Sequence, residues 1–301
     1  MSSSRRYAVI DVGTNTVRLL VAEQADGGLT PVHTDKELVR LGRDLANDGR
    51  ISDESLLHVG DALRRFATVA RKLGAADLRI IATSAAREAE NGQELAAHVL
   101  ADTGHELEII DEDEEARLAW VGALNALDEP WEGVVGVVDV GGGSTEIVVG
   151  SIGGGINFSH SYKLGSGRLT DLCIEHDPPR PFELERIRRI IDETLPPIGV
   201  IPQPQHASGV AGSASNLRRV VGPLLDIEAL ERAIRILCEH PSRRVARRFE
   251  LEQERVRILP AGALILHACA LRLGVPLWFC KGGIREGAVL EMVAAHLDRK
   301  S

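Results

Sequence analysis

The sequence predicts an α/β protein built as two similar lobes. Three observations carry this: chain length, an internal repeat, and alternating strand and helix patterns. At 301 residues the chain exceeds what one hydrophobic core organises, since single cores stop growing at roughly 250 to 300 residues. Shifting the sequence by 128 positions lays Val9-Ile10-Asp11-Val12-Gly13 on Val137-Val138-Asp139-Val140-Gly141, and Leu19-Leu20-Val21 on Ile147-Val148-Val149, without a gap. Each copy reads as an apolar strand, a tight Asp-x-Gly turn and a second apolar strand. Elsewhere short apolar runs alternate with helical periodicity, the pattern of α/β architecture with at least part of each sheet parallel.

After the first hairpin a helix is predicted over Asp53–Leu73, where Leu56, Leu57, Ala62, Leu63, Phe66, Val69 and Ala70 share one face. A buried strand at Leu78–Ala82, a helix over Ser84–Ala101, a strand at Leu107–Ile110 and a helix over Glu112–Leu127 follow. Asp-Glu-Pro-Trp-Glu-Gly over 128–133 breaks the helical pattern. The boundary is set there, giving domains of 1–127 and 128–301, with the last helix able to return to the first domain. The second half opens with strands at Val134–Val138, Glu146–Ser151 and Asn157–Tyr162, then turns helical. Pro196, Pro197, Pro202 and Pro204 mark an extended connection into a short strand at Ala207–Val210.

Composition excludes several classes. Hydrophobic residues are 44% and charged residues 26%, as in a globular protein. The longest mostly apolar stretch, Leu259–Leu271, is interrupted by His267 and falls short of the roughly 18 residues a spanning helix needs, so no membrane partner is expected. Arg5 and Arg6 are followed only by Ala8-Val9-Ile10 before Asp11, too little for a secretory signal. Cys173, Cys238, Cys269 and Cys280 form no C-x-x-C pair, and reduced thiols in a cytoplasmic protein are the expectation. A net charge of −9 and 3% aromatic residues disfavour nucleic acid as a partner.

The most informative segment is Asp139-Val140-Gly141-Gly142-Gly143-Ser144-Thr145-Glu146. Three successive glycines let backbone approach a ligand, and consecutive N–H groups in such a turn make an anion-binding concavity. Ser144 and Thr145 add hydroxyls, while Asp139 and Glu146 supply the carboxylates that a divalent cation shared with phosphate requires. A glycine-rich hairpin with incidental carboxylates is the alternative, and the related turn at Asp11-Val12-Gly13-Thr14-Asn15-Thr16 weighs against it. Neither a Walker A loop nor a dinucleotide-binding glycine fingerprint is present.

The two Asp-x-Gly hairpins resemble the phosphate loops of the actin, sugar kinase and Hsp70 superfamily. That resemblance implies two actin-like (ribonuclease H-like) lobes with a catalytic cleft between them. A finer match comes from Ala82-Thr83-Ser84-Ala85-Ala86-Arg87, from Ile109-Ile110-Asp111-Glu112-Asp113-Glu114-Glu115-Ala116-Arg117, and from the glycine segment in that order. With Ala211-Gly212-Ser213-Ala214, with Arg257-Ile258-Leu259-Pro260-Ala261-Gly262 before a helix, and with Gly283-Ile284-Arg285-Glu286-Gly287, these resemble the exopolyphosphatase and guanosine pentaphosphate phosphatase (Ppx/GppA) family over nearly the whole chain.

The resemblance makes Glu115 the expected general base and implies Mg²⁺ near Asp139 and Glu146, with Asp11 close by. Phosphate oxygens are expected to meet Gly13, Thr14 and Asn15; Thr83, Ser84 and Arg87; Gly141, Gly142, Gly143, Ser144 and Thr145; and Gly212 and Ser213. An acidic helix start favoured by the macrodipole accounts for Glu112 and Asp113 without a functional role. Lys163, Arg168, Arg218, Arg219 and Lys281 fall near loops that would rim the cleft, whereas Arg243, Arg244, Arg247 and Arg248 read as a solvated helix face. His176-Asp177 stands alone before Pro178-Pro179 and reads as a loop.

The expected activity is Mg²⁺-dependent removal of terminal phosphate from inorganic polyphosphate by direct water attack. Longer family members add a C-terminal helical region that this chain lacks, so short chains are the expected substrates. Guanosine pentaphosphate hydrolysis is the alternative, and the scarcity of stacking side chains favours the polymer. Glu114-Glu115-Ala116-Arg117 argues against a sugar or acetate kinase. An actin-like nucleotide-binding or assembly protein stays open on fold alone, and a homodimer is compatible with the sequence.

Overall fold

A computed structural model describes residues 5–25, 28–127 and 131–298. The chain forms two compact units, one comprising Met1–Ala126 and Gly282–Ser301, the other Leu127–Lys281. Residues 282–298 therefore group with the first unit, the return of the last helix that the sequence reading allowed.

The first unit opens with β1 (Arg6–Val12), β2 (Thr16–Ala25) and β3 (Gly28–Leu38), followed by α1 (Leu41–Asp48), α2 (Asp53–Lys72), β4 (Ala75–Ala82), α3 (Ser84–Glu88), α4 (Gly92–Thr103), β5 (Leu107–Ile109) and α5 (Glu112–Asn125). Its sheet runs β3-β2-β1-β4-β5, antiparallel among β1–β3 and parallel from β1 through β4 to β5. β1 is apolar on both faces because both are covered. Ala8, Ile10 and Val12 join Leu63, Phe66 and Leu95 on one side. Tyr7 and Val9 join Leu118, Val289 and Val293 on the other.

Two features here depart from the sequence expectation. The helix expected over 84–101 is broken into α3 and α4, because the buried Asn91 accepts from the Ile51 N–H at 2.8 Å and donates to the Ile51 carbonyl at 2.9 Å. Gly92 completes the corner, since a Cβ there would lie 2.2 Å from the Ala86 carbonyl oxygen. β3 and α1 went unpredicted: β3 is an edge strand carrying Pro31, Asp35, Lys36 and Glu37, residues that protect edges and erase strand periodicity.

The second unit repeats the plan with β6 (Val134–Val140), β7 (Thr145–Ser151), β8 (Gly155–Tyr162), α6 (Ser166–Cys173), α7 (Pro181–Thr194), β9 (His206–Val210), α8 (Ala211–Val221), β10 (Leu224–Leu225), α9 (Ile227–Glu239), α10 (Ser242–Phe249), α11 (Gln253–Leu273) and β11 (Leu277–Phe279). Its sheet order, β8-β7-β6-β9-β11 with β10 added at the edge, is that of the first unit strand for strand, with the same parallel and antiparallel pairings. Duplication is thus visible in topology as well as in the hairpin sequences. The last helix, α12 (Ile284–Asp298), lies on the first unit against β1 and α5.

α11 is long and apolar enough by composition to cross a membrane, but it is the core helix of its unit, with 78% of its most apolar window buried. It begins earlier than expected, so Arg257–Gly262 lies inside it and not before it, and Pro260 sits within the helix. Arg243, Arg244, Arg247 and Arg248 are all exposed on α10, a solvated face as expected. His176 and Asp177 lie in a loop: Glu183 accepts from the His176 ring, and Asp177 accepts from the N–H and hydroxyl of Ser242.

Candidate active site

The β1–β2 and β6–β7 turns have one geometry. The Gly13 N–H donates to the Thr16 carbonyl at 3.1 Å, and the Gly141 N–H donates to the Ser144 carbonyl at 3.0 Å. The peptides that follow are oriented from outside. In the second unit the Ser166 N–H and hydroxyl both donate to the Gly141 carbonyl at 3.0 Å, and the Arg168 N–H donates to the Gly142 carbonyl at 2.9 Å. Arg168 Nε donates to the Gly143 carbonyl at 2.9 Å. A trans peptide sets the carbonyl of one residue opposite to the N–H of the next. With three successive carbonyls turned toward α6, the N–H groups of Gly142, Gly143 and Ser144 face the other way. None of the three has a hydrogen-bond partner among the described residues. Consecutive N–H groups on one side of a turn make a concavity of the kind that binds anions.

The first unit uses the same device with main-chain donors: Gly42 N–H to the Thr14 carbonyl, and Val39 and Arg40 N–H to the Asn15 carbonyl. Gly42 is the second residue of α1 and Gly165 is the N-cap of α6, and each lies against its hairpin turn. A Cβ on Gly42 would come within 2.6 Å of Thr14 Cγ2, and one on Gly165 within 2.1 Å of the Gly142 carbonyl oxygen.

Asp139 and Glu146 are direct cross-strand partners, so both carboxylates leave the same face of the sheet, both nearly fully buried. Glu146 Oε1 accepts from the Ser161 hydroxyl at 2.8 Å. Two adjacent carboxylates beside a phosphate concavity match the donor set of Mg²⁺, which takes one or two protein carboxylates and fills the rest of its octahedron with water and phosphate oxygens. No group of three or more His, Cys, Asp or Glu side chains suited to a metal exists among the described residues, so a cation here would need those additional oxygens.

In the second unit two of the expected phosphate ligands are otherwise engaged. Thr145 is fully buried and its hydroxyl donates to the Leu164 carbonyl, which removes it as a phosphate donor. The Ser213 hydroxyl donates to the Val140 carbonyl at 3.1 Å, leaving Ser213 only its main chain to offer. Ala211, just before Gly212, holds a left-handed φ of 61°, strain of about 1 kcal/mol or more of the kind that persists where surrounding structure dictates it. The starts of α6 and α8 both close on Gly262 of α11, whose added Cβ would lie 2.9 Å from Ser213 Oγ and 3.4 Å from Ser166 Cβ.

In the first unit Thr83 N–H donates to the Val12 carbonyl at 3.3 Å, and the Ser84 hydroxyl is spent on Glu88 Oε1 at 2.8 Å. Arg87 is not displayed for phosphate alone. Its Nη1 donates to the Ile110 carbonyl at 2.9 Å and to Glu115 Oε2 at 2.7 Å. Glu115 is buried on α5, whose N-cap Asp111 accepts from the Glu114 N–H at 2.8 Å. Glu114 turns elsewhere, to Arg117 Nε and Nη2, both at 2.9 Å.

Asp11 sits where the repeat predicts, yet its cross-strand partner is Arg18, the residue that corresponds to Glu146. Asp11 Oδ1 is buried without a hydrogen-bond partner among the described residues. Burial raises the Asp11 carboxyl above its ordinary value, while Arg18 and Arg285 pull it back. Burial raises Glu286 in the same cluster. Asp11 shares its corner with Glu286 and two guanidinium groups, and that balance of charge is a weaker lure for a divalent cation than an acidic pair. Of the other candidate cations, Arg218 lies 4.5 Å over the Phe279 ring, and Arg219 pairs with Glu250. Gly165 and the main-chain role of Ser166 escaped sequence reasoning, and Gly262 entered it only as part of a motif, because close approach by a remote segment leaves no local pattern.

A duplicated α/β fold that sets three N–H groups of a glycine turn beside an acidic pair has the makings of a phosphoryl-handling protein. The Ppx/GppA phosphatase family profile matches residues 20–296, and the chain belongs to that family. It is 39% identical over 201 residues to exopolyphosphatase 2 of Mycobacterium tuberculosis, a match covering 64% of this chain and 62% of that protein, so it spans under two thirds of that relative's length. It is 30% identical over 311 residues to exopolyphosphatase 1 of Mycobacterium tuberculosis, covering 97% of this chain and 90% of that protein. The Ppx/GppA family member of Aquifex aeolicus, a solved structure, is 26% identical, covers 97% of this chain and 98% of its own, and superposes with a TM-score of 0.79. An exopolyphosphatase from Cytophaga hutchinsonii, 24% identical with coverage of 97% and 98%, shares the fold with a TM-score of 0.86.

Proposed function

We propose that this chain is an exopolyphosphatase that hydrolyses the terminal phosphoanhydride of inorganic polyphosphate, with short chains as its substrates. The observation that carries the reading is the Gly141–Ser144 loop, with three N–H groups on one side next to the Asp139–Glu146 pair. The names of the M. tuberculosis relatives support polyphosphate over guanosine pentaphosphate. The loop N–H groups bind the terminal phosphoryl group and stabilise the charge that spreads over its oxygens during transfer. Asp139 and Glu146 would hold Mg²⁺, and in this reading Asp11, beside Arg18 and Arg285, would not. When bound, Mg²⁺ neutralises phosphate charge and polarises the phosphorus–oxygen bond. Glu115 accepts the proton of the attacking water, and Arg87 fixes the carboxylate that does so. The four cysteines, three of them buried and none in a disulfide, support a reducing cytoplasmic location.

The test is phosphate release measured side by side on tripolyphosphate, long polyphosphate, guanosine pentaphosphate and ATP, with Mg²⁺ and with chelator. Fastest turnover of tripolyphosphate supports the reading. Turnover confined to guanosine pentaphosphate transfers the assignment to that substrate, and phosphate transfer from ATP to an acceptor overturns hydrolysis.

A further inference from the structure

Three consecutive glycines give the phosphate loop the freest backbone a chain can offer, yet a cradle needs one orientation of every peptide plane. A flipped peptide would aim a carbonyl dipole at the phosphate and replace attraction with repulsion. The Gly141 and Gly142 carbonyls are held by main-chain N–H groups of Ser166 and Arg168, which no substitution at those positions other than proline removes. The Gly143 carbonyl is held differently. Among the described residues its partner is a side chain, Arg168 Nε at 2.9 Å. The corresponding turn of the first unit has no such side-chain dependence, since Thr14 and Asn15 are held by main-chain donors.

We propose that Arg168 is a positioning residue that locks the Gly143–Ser144 peptide so that the Ser144 N–H serves as the third donor to the terminal phosphate; this rests on reading the loop as the phosphate site. The guanidinium acts from the far side of the peptide and does not touch phosphate. Donation to the Gly143 carbonyl also polarises that amide, because hydrogen bonds in a chain strengthen one another, so Ser144 becomes a better donor as well as a better aimed one. Gly165 makes the arrangement compact: with no Cβ there, the loop rests directly on the entry to α6.

The experiment follows amide resonances of selectively labelled glycine and serine while inorganic phosphate is added to the full chain with Mg²⁺. In the unsubstituted protein Gly142, Gly143 and Ser144 all shift. In Arg168→Ala, Gly142 and Gly143 still shift and Ser144 does not, while kcat on tripolyphosphate falls about tenfold or more, on the scale of a weakened oxyanion donor. Arg168→Lys, which keeps the charge on a flexible stem, recovers part of the Ser144 response and supplies the measurement if the alanine variant folds poorly. A Ser144 shift and a kcat equal to those of the unsubstituted protein in both variants overturn the lock alone. No shift at Gly142 or Gly143 in the unsubstituted protein overturns the phosphate-loop reading and the lock with it.

Discussion

Arg87 and Glu115 are bonded to each other, Nη1 to Oε2 at 2.7 Å, with the same Nη1 2.9 Å from the Ile110 carbonyl. The residue expected to grip phosphate and the residue expected to activate water are thus one ion pair tying α3 to α5. Guanidinium contact fixes the carboxylate in a single rotamer, which suits a base that must meet one water.

Replacing Glu115 by Gln keeps shape but removes the proton acceptor, so kcat should fall about a hundredfold, the scale of lost general-base catalysis. Glu114→Gln is the comparison. Adjacent helix positions point about 100° apart, and Glu114 is already engaged by Arg117, so its loss should leave turnover intact. Steady-state kinetics decide, and the reverse pattern would move the base to Glu114.

Arg87→Ala withdraws the guanidinium from a buried carboxylate, and breaking such a pair costs about 3 kcal/mol. A lowered denaturant midpoint should report it. Arg87→Lys should keep more of that stability yet still lose about tenfold in turnover, because an ammonium on a flexible stem does not hold the one position from which Nη1 reaches both the Ile110 carbonyl and Glu115. A lysine variant with full activity would show that charge alone suffices.

Asp139→Asn and Glu146→Gln each remove one of two adjacent anions. Direct titration with Mn²⁺ should show affinity weakened at least tenfold in either, and excess chelator should stop phosphate release by the unsubstituted protein. Asp11→Asn should leave Mn²⁺ affinity within about twofold, since Arg18 and Arg285 already neutralise that corner. Equal weakening in all three variants would place Asp11 in the metal site.

Glu183 predicts an acid limb in stability. Burial pushes its carboxyl up, but the N–H groups of Arg180 and Glu175 and the His176 ring outweigh burial and bring it from 4.5 down to about 2. A lowered folded value gives stability that is full above 4.5 and lost as the pH falls toward 2. Denaturant midpoints across that range should fall in the unsubstituted protein, and Glu183→Gln should flatten the component while lowering the neutral plateau. Asp11 and Glu286 act in the opposite sense, their contribution being present below ordinary carboxylate values and lost as the pH rises through the raised ones.

What could be read from sequence was what local chemistry writes down. An Asp before a glycine turn, an apolar strand on each side and the 128-residue offset identify both hairpins, because turn backbone and strand period are local constraints. Asn91 breaking a helix by bonding to Ile51 is a contact across 40 positions, and Arg168 reaching Gly143 spans 25. Neither leaves a trace in its own neighbourhood. Arg18 was more accessible, since the repeat itself aligns it with Glu146 and shows that one turn carries an acidic pair while the other sets Asp11 across from an arginine. Thr145 misled because a hydroxyl in a glycine loop looks available until its burial against Leu164 is known.

The return of α12 to the first unit has a consequence for how the protein is made. Ala288, Val289 and Val293 cover Tyr7, Val9, Leu20 and Leu118, and the contact is intimate enough that a Cβ on Gly287 would lie 2.1 Å from the Leu118 carbonyl oxygen. During synthesis the first 126 residues emerge without that cover, whereas the second unit is one uninterrupted stretch that can fold as soon as it leaves the ribosome. At elongation rates of about 5 to 20 residues per second the apolar layer of the nascent first unit waits roughly ten to thirty seconds for its last helix. That interval is when the chain most needs a chaperone, and it makes the last helix the step that completes the unit holding Glu115.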